Sequence, residues 1–221
     1  MAATGGGAAT GGDGSHVDRS GRGWPGAGEP LDGRERQALC DRLDELGPDA
    51  PTWCEGWTTG DLAAHLVLRE RLRRWGDPAR AEVLAAGFPA VVAQLRSGPP
   101  ALPWGIPVLR TLLNGFEYFV HLEDVRRANG GGPRPATPDL ERLCWQVSFL
   151  LGVRAARAMR PFALELVAPG RHRRLGRGEG AVLTGPATEL ALYLAGRRQA
   201  VVERGGSAGA LAALDAAGTR L

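Results

Sequence analysis

From Asp32 onward, leucines recur three and four residues apart among Arg, Asp and Glu, with Leu39, Leu43 and Leu46 on one face. That is the period of an amphipathic helix. Gly47-Pro48 stops it, so a first helix is predicted over about 33–46. Thr58-Thr59-Gly60-Asp61 then forms a capping box, Thr58 as N-cap and Asp61 three residues on, ahead of the apolar run from Leu62 to Leu68. This second helix is predicted to reach about Trp75. A third, from about Ala79 to Ser97, must break or kink at Gly87-Phe88-Pro89 and ends at Gly98-Pro99-Pro100. The clearest period runs from about Pro107 to Ala128, with Leu109, Leu113, Phe116 and Val120 on an inward stripe and Asn129-Gly130-Gly131-Gly132-Pro133 beyond it. Thr137-Pro138 opens a fifth helix, predicted to about Arg160.

After Pro161 the pattern shifts toward alternation. Strands are predicted over about 162–167, 171–177 and 181–183 as a short antiparallel meander. A helix from Pro186 to about Arg198, a strand from Gln199 to Glu203, a Gly205-Gly206 turn and a small helix from Ala208 to Ala216 complete the chain. The plan is mainly α: a helical bundle over 31–160 followed by a small α/β C-terminal domain over 161–221. Residues 1–30 are Gly, Ala and Ser with almost no large apolar side chains. They bury too little surface to offset the entropy of ordering, so a disordered tail is expected and His16 is a bystander.

Composition bounds this plan. With 221 residues, 43% of them hydrophobic, the chain has material for a real core and is not wholly disordered. No run approaches the roughly 18 consecutive apolar residues of a spanning helix. The first thirty residues also lack the pattern of a signal peptide, so a soluble cytoplasmic protein is expected. All 27 basic residues are Arg, for a net charge of +3. Arginine suits bidentate capture of carboxylates and phosphates, but the 24 acidic residues are interspersed and leave no concentrated basic face. Arg171-His172-Arg173-Arg174 with Arg177 is assigned to a solvated strand face lacking aromatic stacking partners, so no nucleic-acid partner is expected. Cys40, Cys54 and Cys144 are odd in number and far apart. They form neither a disulfide framework nor a C-x-x-C pair and read as packed thiols, with Cys54 in a Pro/Trp/Gly-rich loop over 51–57 that allows partial exposure but offers no His close in sequence.

Candidate chemistry lies in the fourth predicted helix. Glu117 and His121 are four residues apart, which puts them on one face with Cβ atoms roughly 6 Å apart. They adjoin the inward stripe, where a carboxylate beside an imidazole is costly without compensation. A divalent cation would compensate. His65 interrupts the apolar run of the second helix and is the natural third ligand, because bundles build metal sites from side chains that point inward from facing helices. Two imidazoles and one carboxylate leave a coordination position open, as in catalytic zinc sites, and they also suit nickel, cobalt or ferrous iron. Asp124 is spaced to accept the other imidazole N–H of His121. The competing reading is ordinary packing, with Glu117 and His121 a simple ion pair. Trp53, Trp57, Trp75 and Trp104 read as lids on the core, with Trp57 placed to overhang a pocket beside His65.

Three ordered motifs carry a resemblance. They are Leu46-Gly47-Pro48-Asp49-Ala50-Pro51-Thr52; Cys54-Glu55-Gly56-Trp57-Thr58-Thr59 with Asp61-Leu62-Ala63-Ala64-His65-Leu66; and Glu117-Tyr118-Phe119-Val120-His121-Leu122-Glu123-Asp124-Val125-Arg126-Arg127. Together with Thr184-Gly185-Pro186-Ala187-Thr188-Glu189-Leu190 they resemble an actinobacterial family of metal-binding proteins. That family is similar to the metal-binding N-terminal domain of mycothiol-dependent maleylpyruvate isomerase, among the DinB-like bundles. The resemblance covers about residues 33–215. It implies a DinB-like four-helix core holding a divalent metal, zinc in the isomerase, through His65, Glu117 and His121, and a sterol-carrier-like C-terminal domain. Many relatives carry a second His after the one matching His121; this chain has Leu122. The resemblance also implies a thiol-dependent transferase or isomerase, in which the metal holds mycothiol or another low-molecular-weight thiol for attack on an electrophilic substrate. Arg69, Arg126 and Arg127 are then candidates to anchor carboxylates. The alternative is a non-catalytic metal-binding module whose C-terminal domain takes a ligand or partner.

Overall fold

The helix that carries His65 starts where its sequence says it should. In a computed structural model, which describes residues 29–71, 76–99 and 111–218, Thr58 accepts a hydrogen bond from the backbone N–H of Asp61, and the Asp61 carboxylate accepts one from the N–H of Thr58. Both halves of the capping box are therefore present. The helix it opens, α2 (Thr59–Glu70), follows α1 (Leu31–Leu46) and precedes α3 (Asp77–Leu84) and α4 (Phe88–Ser97). The predicted third helix is thus two, separated at Gly87, whose φ of 87° favours glycine. The tail before residue 29, His16, Trp75, Trp104 and Leu109 lie outside the described residues.

A π-helical turn at Thr111–Gly115 runs directly into α5 (Phe116–Ala128). Its wider winding changes the phase of the helix. Leu113, expected on the inward stripe, is consequently 42% exposed, while Asn114 is fully buried. Beyond the turn the expected face holds, with Phe119 and Val120 buried and Phe116 partly so. Leu39, Cys40 and Leu43 of α1, Leu62, Ala63, Leu66 and Val67 of α2, Val91, Val92 and Leu95 of α4, and Tyr118, Leu122 and Val125 of α5 make one core of four helices. Each buried leucine contributes about 1.5–3 kcal/mol to it.

A long helix, α6 (Pro138–Ala158), packs instead into a second core with the C-terminal elements. These are β1 (Ala163–Ala168), β2 (Arg171–Leu175), β3 (Gly180–Thr184), α7 (Ala187–Leu194), β4 (Glu203–Gly206) and α8 (Ala208–Gly218). Gly152 lets α6 approach the sheet: a Cβ there would lie 2.8 Å from a Leu175 methyl. The chain is mainly helical with one small sheet, in the order β2-β1-β3-β4.

The sheet corrects two expectations. It is not an antiparallel meander, because β3 pairs with β1 in parallel, while β1–β2 and β3–β4 are antiparallel. Nor is Gly205-Gly206 a turn: both residues belong to β4, opposite Val182 and Ala181. Gly206 has φ 108°, and a Cβ there would lie 2.1 Å from the carbonyl oxygen of Gly180. Only glycine permits that approach. The helix predicted to Arg198 stops at Leu194, and Gly196 at φ 91° turns the chain back.

A buried chain of charges ties the two cores together. Arg134 bridges Glu35 of α1 and Glu123 of α5, the latter at 2.9 Å. Arg127 joins Glu123 (2.6 Å) to Glu189 of α7 (2.5 Å), and Glu189 accepts the Val201 N–H at 2.8 Å. Arg126 closes on Glu123 at 2.8 Å. Removing one partner from such a cluster strands buried charge. Glu123→Ala is expected to lower unfolding free energy by about 3–5 kcal/mol in urea titration; a loss under about 1 kcal/mol would show the cluster to be an ordinary surface network.

Glu70 gives a pH-dependent test of the four-helix core. It is 1% exposed and accepts the Tyr118 hydroxyl at 2.5 Å. Burial pushes its carboxyl from 4.5 up to about 7, outweighing the Tyr118 hydrogen bond and the nearby Arg36, Arg69 and Arg71 charges. The folded state therefore holds a proton that the unfolded state has already released. Its stabilising contribution is complete below about pH 4.5 and is lost as pH rises through about 7. Glu70→Gln keeps an acceptor for Tyr118 but cannot ionise. Its stability gain over the parent, from paired urea curves, is expected to grow between about pH 5 and about pH 8; a gain independent of pH contradicts this.

Candidate metal centre

Three side chains from two helices meet beside the four-helix core. His65 projects from the middle of α2, and Glu117 and His121 from successive turns of α5. The same Glu117 oxygen, Oε1, lies 3.8 Å from His65 Nε2 and 3.3 Å from His121 Nε2. The imidazole centroids are 5.7 Å apart and nearly perpendicular, and the three donor atoms all lie within 4.8 Å of one another. Zinc bonds of about 2.0–2.1 Å in a tetrahedron separate neighbouring N and O donors by roughly 3.3 Å. The His121–Glu117 spacing already matches, and the His65–Glu117 spacing is half an ångström wide. The residues present therefore fit a divalent ion. Side-chain exposure of 12%, 27% and 9% for His65, Glu117 and His121 leaves solvent access mainly at the carboxylate.

The surroundings orient each donor. Nδ1–H of His121 donates to Asp124 Oδ2 at 2.9 Å, which turns Nε2 toward Glu117. Arg197 holds Asp124 from the other side, Nε to Oδ1 at 2.9 Å and a terminal nitrogen to Oδ2 at 2.6 Å. Arg69 approaches Glu117 at 3.3 Å and donates to Asn114 at 2.9 Å and the Leu113 carbonyl at 3.3 Å, fastening α2 to the π turn. The Trp57 ring lies 4.8 Å from the His65 ring, with the Arg80 guanidinium over Trp57 at 4.8 Å. It is a wall beside the site, as its position ahead of the capping box suggested.

Charge is concentrated here. Burial acts to raise the Glu117 carboxyl, but hydrogen bonds from His121 and His65, with the charges of His121 and Arg69, hold it well below the usual carboxylate range. Burial likewise opposes a charged His121, yet Asp124, Cys54 and Glu117 hold its pKa well above the ordinary value. Asp124 falls to about 2, its burial outweighed by Arg197 and His121. His121 thus lies between two carboxylates, Glu117 and Asp124, that both favour its protonated form.

The arginines sort differently from the sequence expectation. Of the three candidates, only Arg69 faces the site; Arg126 and Arg127 are engaged with Glu123 and Glu189. Arg197 was missed, because it follows a glycine turn that the sequence pattern read as continuing helix, and 73 positions separate it from Asp124. Cys54 is half-buried, in keeping with its loop position, but its sulfur lies 3.2 Å from Asp124 Oδ2 and 3.7 Å from His121 Nδ1, neighbours that its own stretch of sequence did not offer. On β2, Arg173 lies over the rings of Phe149 (4.4 Å) and Trp145 (5.2 Å), so aromatic partners do adjoin that basic run, each already covered by an arginine.

No protein-family model and no curated protein matches the chain. Among solved structures, one described as the crystal structure of the mycothiol-dependent maleylpyruvate isomerase aligns with 79% of this chain and 90% of its own. The TM-score is 0.54 at 16% sequence identity. The chain is thus similar in fold to the mycothiol-dependent maleylpyruvate isomerase.

Proposed function

We propose that this protein binds a divalent metal, zinc first among the candidates, through His65, Glu117 and His121, and uses it in thiol-dependent isomerase or transferase chemistry. The observation that carries the proposal is the convergence of two imidazole Nε2 atoms from different helices on one Glu117 oxygen. A coincidental ion pair needs only the two α5 residues; it does not call for His65 to face the same point. In this reading the four-helix core of α1, α2, α4 and α5 is a DinB-like metal-binding bundle, and α6 with the elements after Pro161 forms a sterol-carrier-like C-terminal part.

The bound metal would lower the pKa of a coordinated low-molecular-weight thiol, mycothiol or a related compound, and so present a thiolate to an electrophilic substrate. The chain's own residues do the positioning. Asp124 fixes the His121 tautomer so that Nε2 faces the ion, and Arg197 fixes Asp124. Arg69 steadies Glu117 and places a cation at the mouth of the site, where a carboxylate of thiol or substrate would meet it. Trp57 closes the His65 side and limits water there. The structural neighbour, a mycothiol-dependent isomerase by its description, supports this choice of chemistry.

Elemental analysis of protein purified without a His tag is expected to give stoichiometric zinc, lost in His65→Ala and in Glu117→Gln. Asp124→Asn is expected to weaken zinc binding by about 10–100-fold without changing the ligands. Parent protein that takes up no zinc, or variants that bind like the parent, would return Glu117 and His121 to a simple ion pair.

Catalysis is tested separately. Metal-loaded protein incubated with mycothiol or a simpler thiol and a panel of electrophilic alkenes should turn over only when both thiol and metal are present. Absence of turnover with every thiol in metal-replete protein would favour the non-catalytic binding module.

A further inference from the structure

His121 is shared between two groups of donors, one at each ring nitrogen. Beyond Nε2 stand His65 and Glu117. Beyond Nδ1 stand Cys54 Sγ at 3.7 Å and Asp124 Oδ2 at 2.9 Å, and these two are 3.2 Å from each other. Sulfur, nitrogen and oxygen converge here, with all three donor atoms within 4.8 Å of one another. We infer that Cys54, His121 and Asp124 form a second cation site, selective for thiophilic divalent ions such as cadmium, on the opposite edge of the imidazole from the proposed metal centre.

The donor set gives the selectivity. Two imidazoles and a carboxylate offer no sulfur, whereas thiolate ligands favour soft ions. The geometry needs some movement: even for zinc, bonds of about 2.0–2.3 Å to N, O and S separate tetrahedral donors by roughly 3.3–3.6 Å, and the larger cadmium ion spreads them further. The Cys54–His121 distance is already close to that range, and Asp124 must withdraw by a few tenths of an ångström. Arg197 accommodates this. Its terminal nitrogen, 2.6 Å from Oδ2 and 3.8 Å from Cys54 Sγ, must move off both when the ion enters, while its Nε keeps Oδ1 at 2.9 Å. On binding, the Cys54 thiol proton and the Nδ1 proton pass to solvent, while thiolate and carboxylate together supply two negative charges to the divalent ion. Cys54 is half-buried and accessible from its loop, unlike Cys40 and Cys144, which are fully buried; burial pushes the Cys40 thiol up to about 12 and Cys144 well above the ordinary value.

Sharing has a consequence. A neutral imidazole ligates through one nitrogen and carries its proton on the other. A thiophilic ion at Nδ1 therefore leaves Nε2 protonated and withdraws His121 from the first site, so the second site makes the protein sensitive to soft metals. It shares only His121 with the first site, needs neither His65 nor Glu117, and is tested separately from the proposed function.

The test is a cadmium titration of the metal-free full-length protein, followed by the ultraviolet thiolate-to-cadmium charge-transfer band. The band is expected in the parent and in Glu117→Gln, and is expected to be lost in both Cys54→Ser and Cys54→Ala, with far-ultraviolet circular dichroism confirming that each variant is folded. Absence of the band in the parent, its persistence in the folded Cys54 variants, or its loss in Glu117→Gln would overturn the inference. Failure of the first site is seen independently, as zinc uptake by Cys54→Ser protein that does not respond to an added His65→Ala.

Discussion

A carboxylate held between two imidazoles at the edge of a packed core is the constraint around which this structure is arranged. Glu117 cannot face His65 and His121 across 3.8 and 3.3 Å unless positive charge is available, since unpaired ionised groups are expensive to desolvate. In the metal-free molecule that charge comes from Arg69 and from His121 itself. In the function proposed, a divalent ion would supply it more compactly and meet both imidazole nitrogens at once. This concentration of charge at Glu117 is what the proposed metal binding rests on.

Maintaining this arrangement engages both cores. His121 is oriented by Asp124, and Asp124 by Arg197, which arrives from the turn after α7. Three residues along α5 from Asp124, Arg127 reaches α7 itself through Glu189. The C-terminal elements therefore contribute no donor atom to the first triad, yet they determine which nitrogen of His121 faces it. That coupling gives a physical reason for the two cores to be joined by buried charge, whose worth lies in specificity of placement more than in net stability.

Local signals made much of this legible in the sequence. The capping box at Thr58–Asp61, the i,i+4 pair Glu117–His121, the lone imidazole in an apolar run at His65 and the i,i+3 partner Asp124 all follow from helical spacing. Each is a relation within one helix, where 3.6 residues per turn fixes neighbours. What escaped depends on contacts between distant segments. Arg197 and Cys54 reach the site only because Gly196 and the 47–58 loop fold back on it. Leu113 was misplaced because a π turn, which has no clear sequence signature, changed the phase just ahead of Glu117. The parallel β1–β3 pairing and the strand assignment of Gly205-Gly206 were hidden for a related reason: glycine there serves a close backbone approach, not a turn.

The most direct test is crystallographic: zinc-soaked protein examined by anomalous scattering at the zinc absorption edge. Metal binding by this triad predicts one strong peak between His65 Nε2, Glu117 Oε1 and His121 Nε2, with the His121 Nδ1–Asp124 hydrogen bond intact. No peak there, with Glu117 still closed onto Arg69 and both imidazoles, would contradict it.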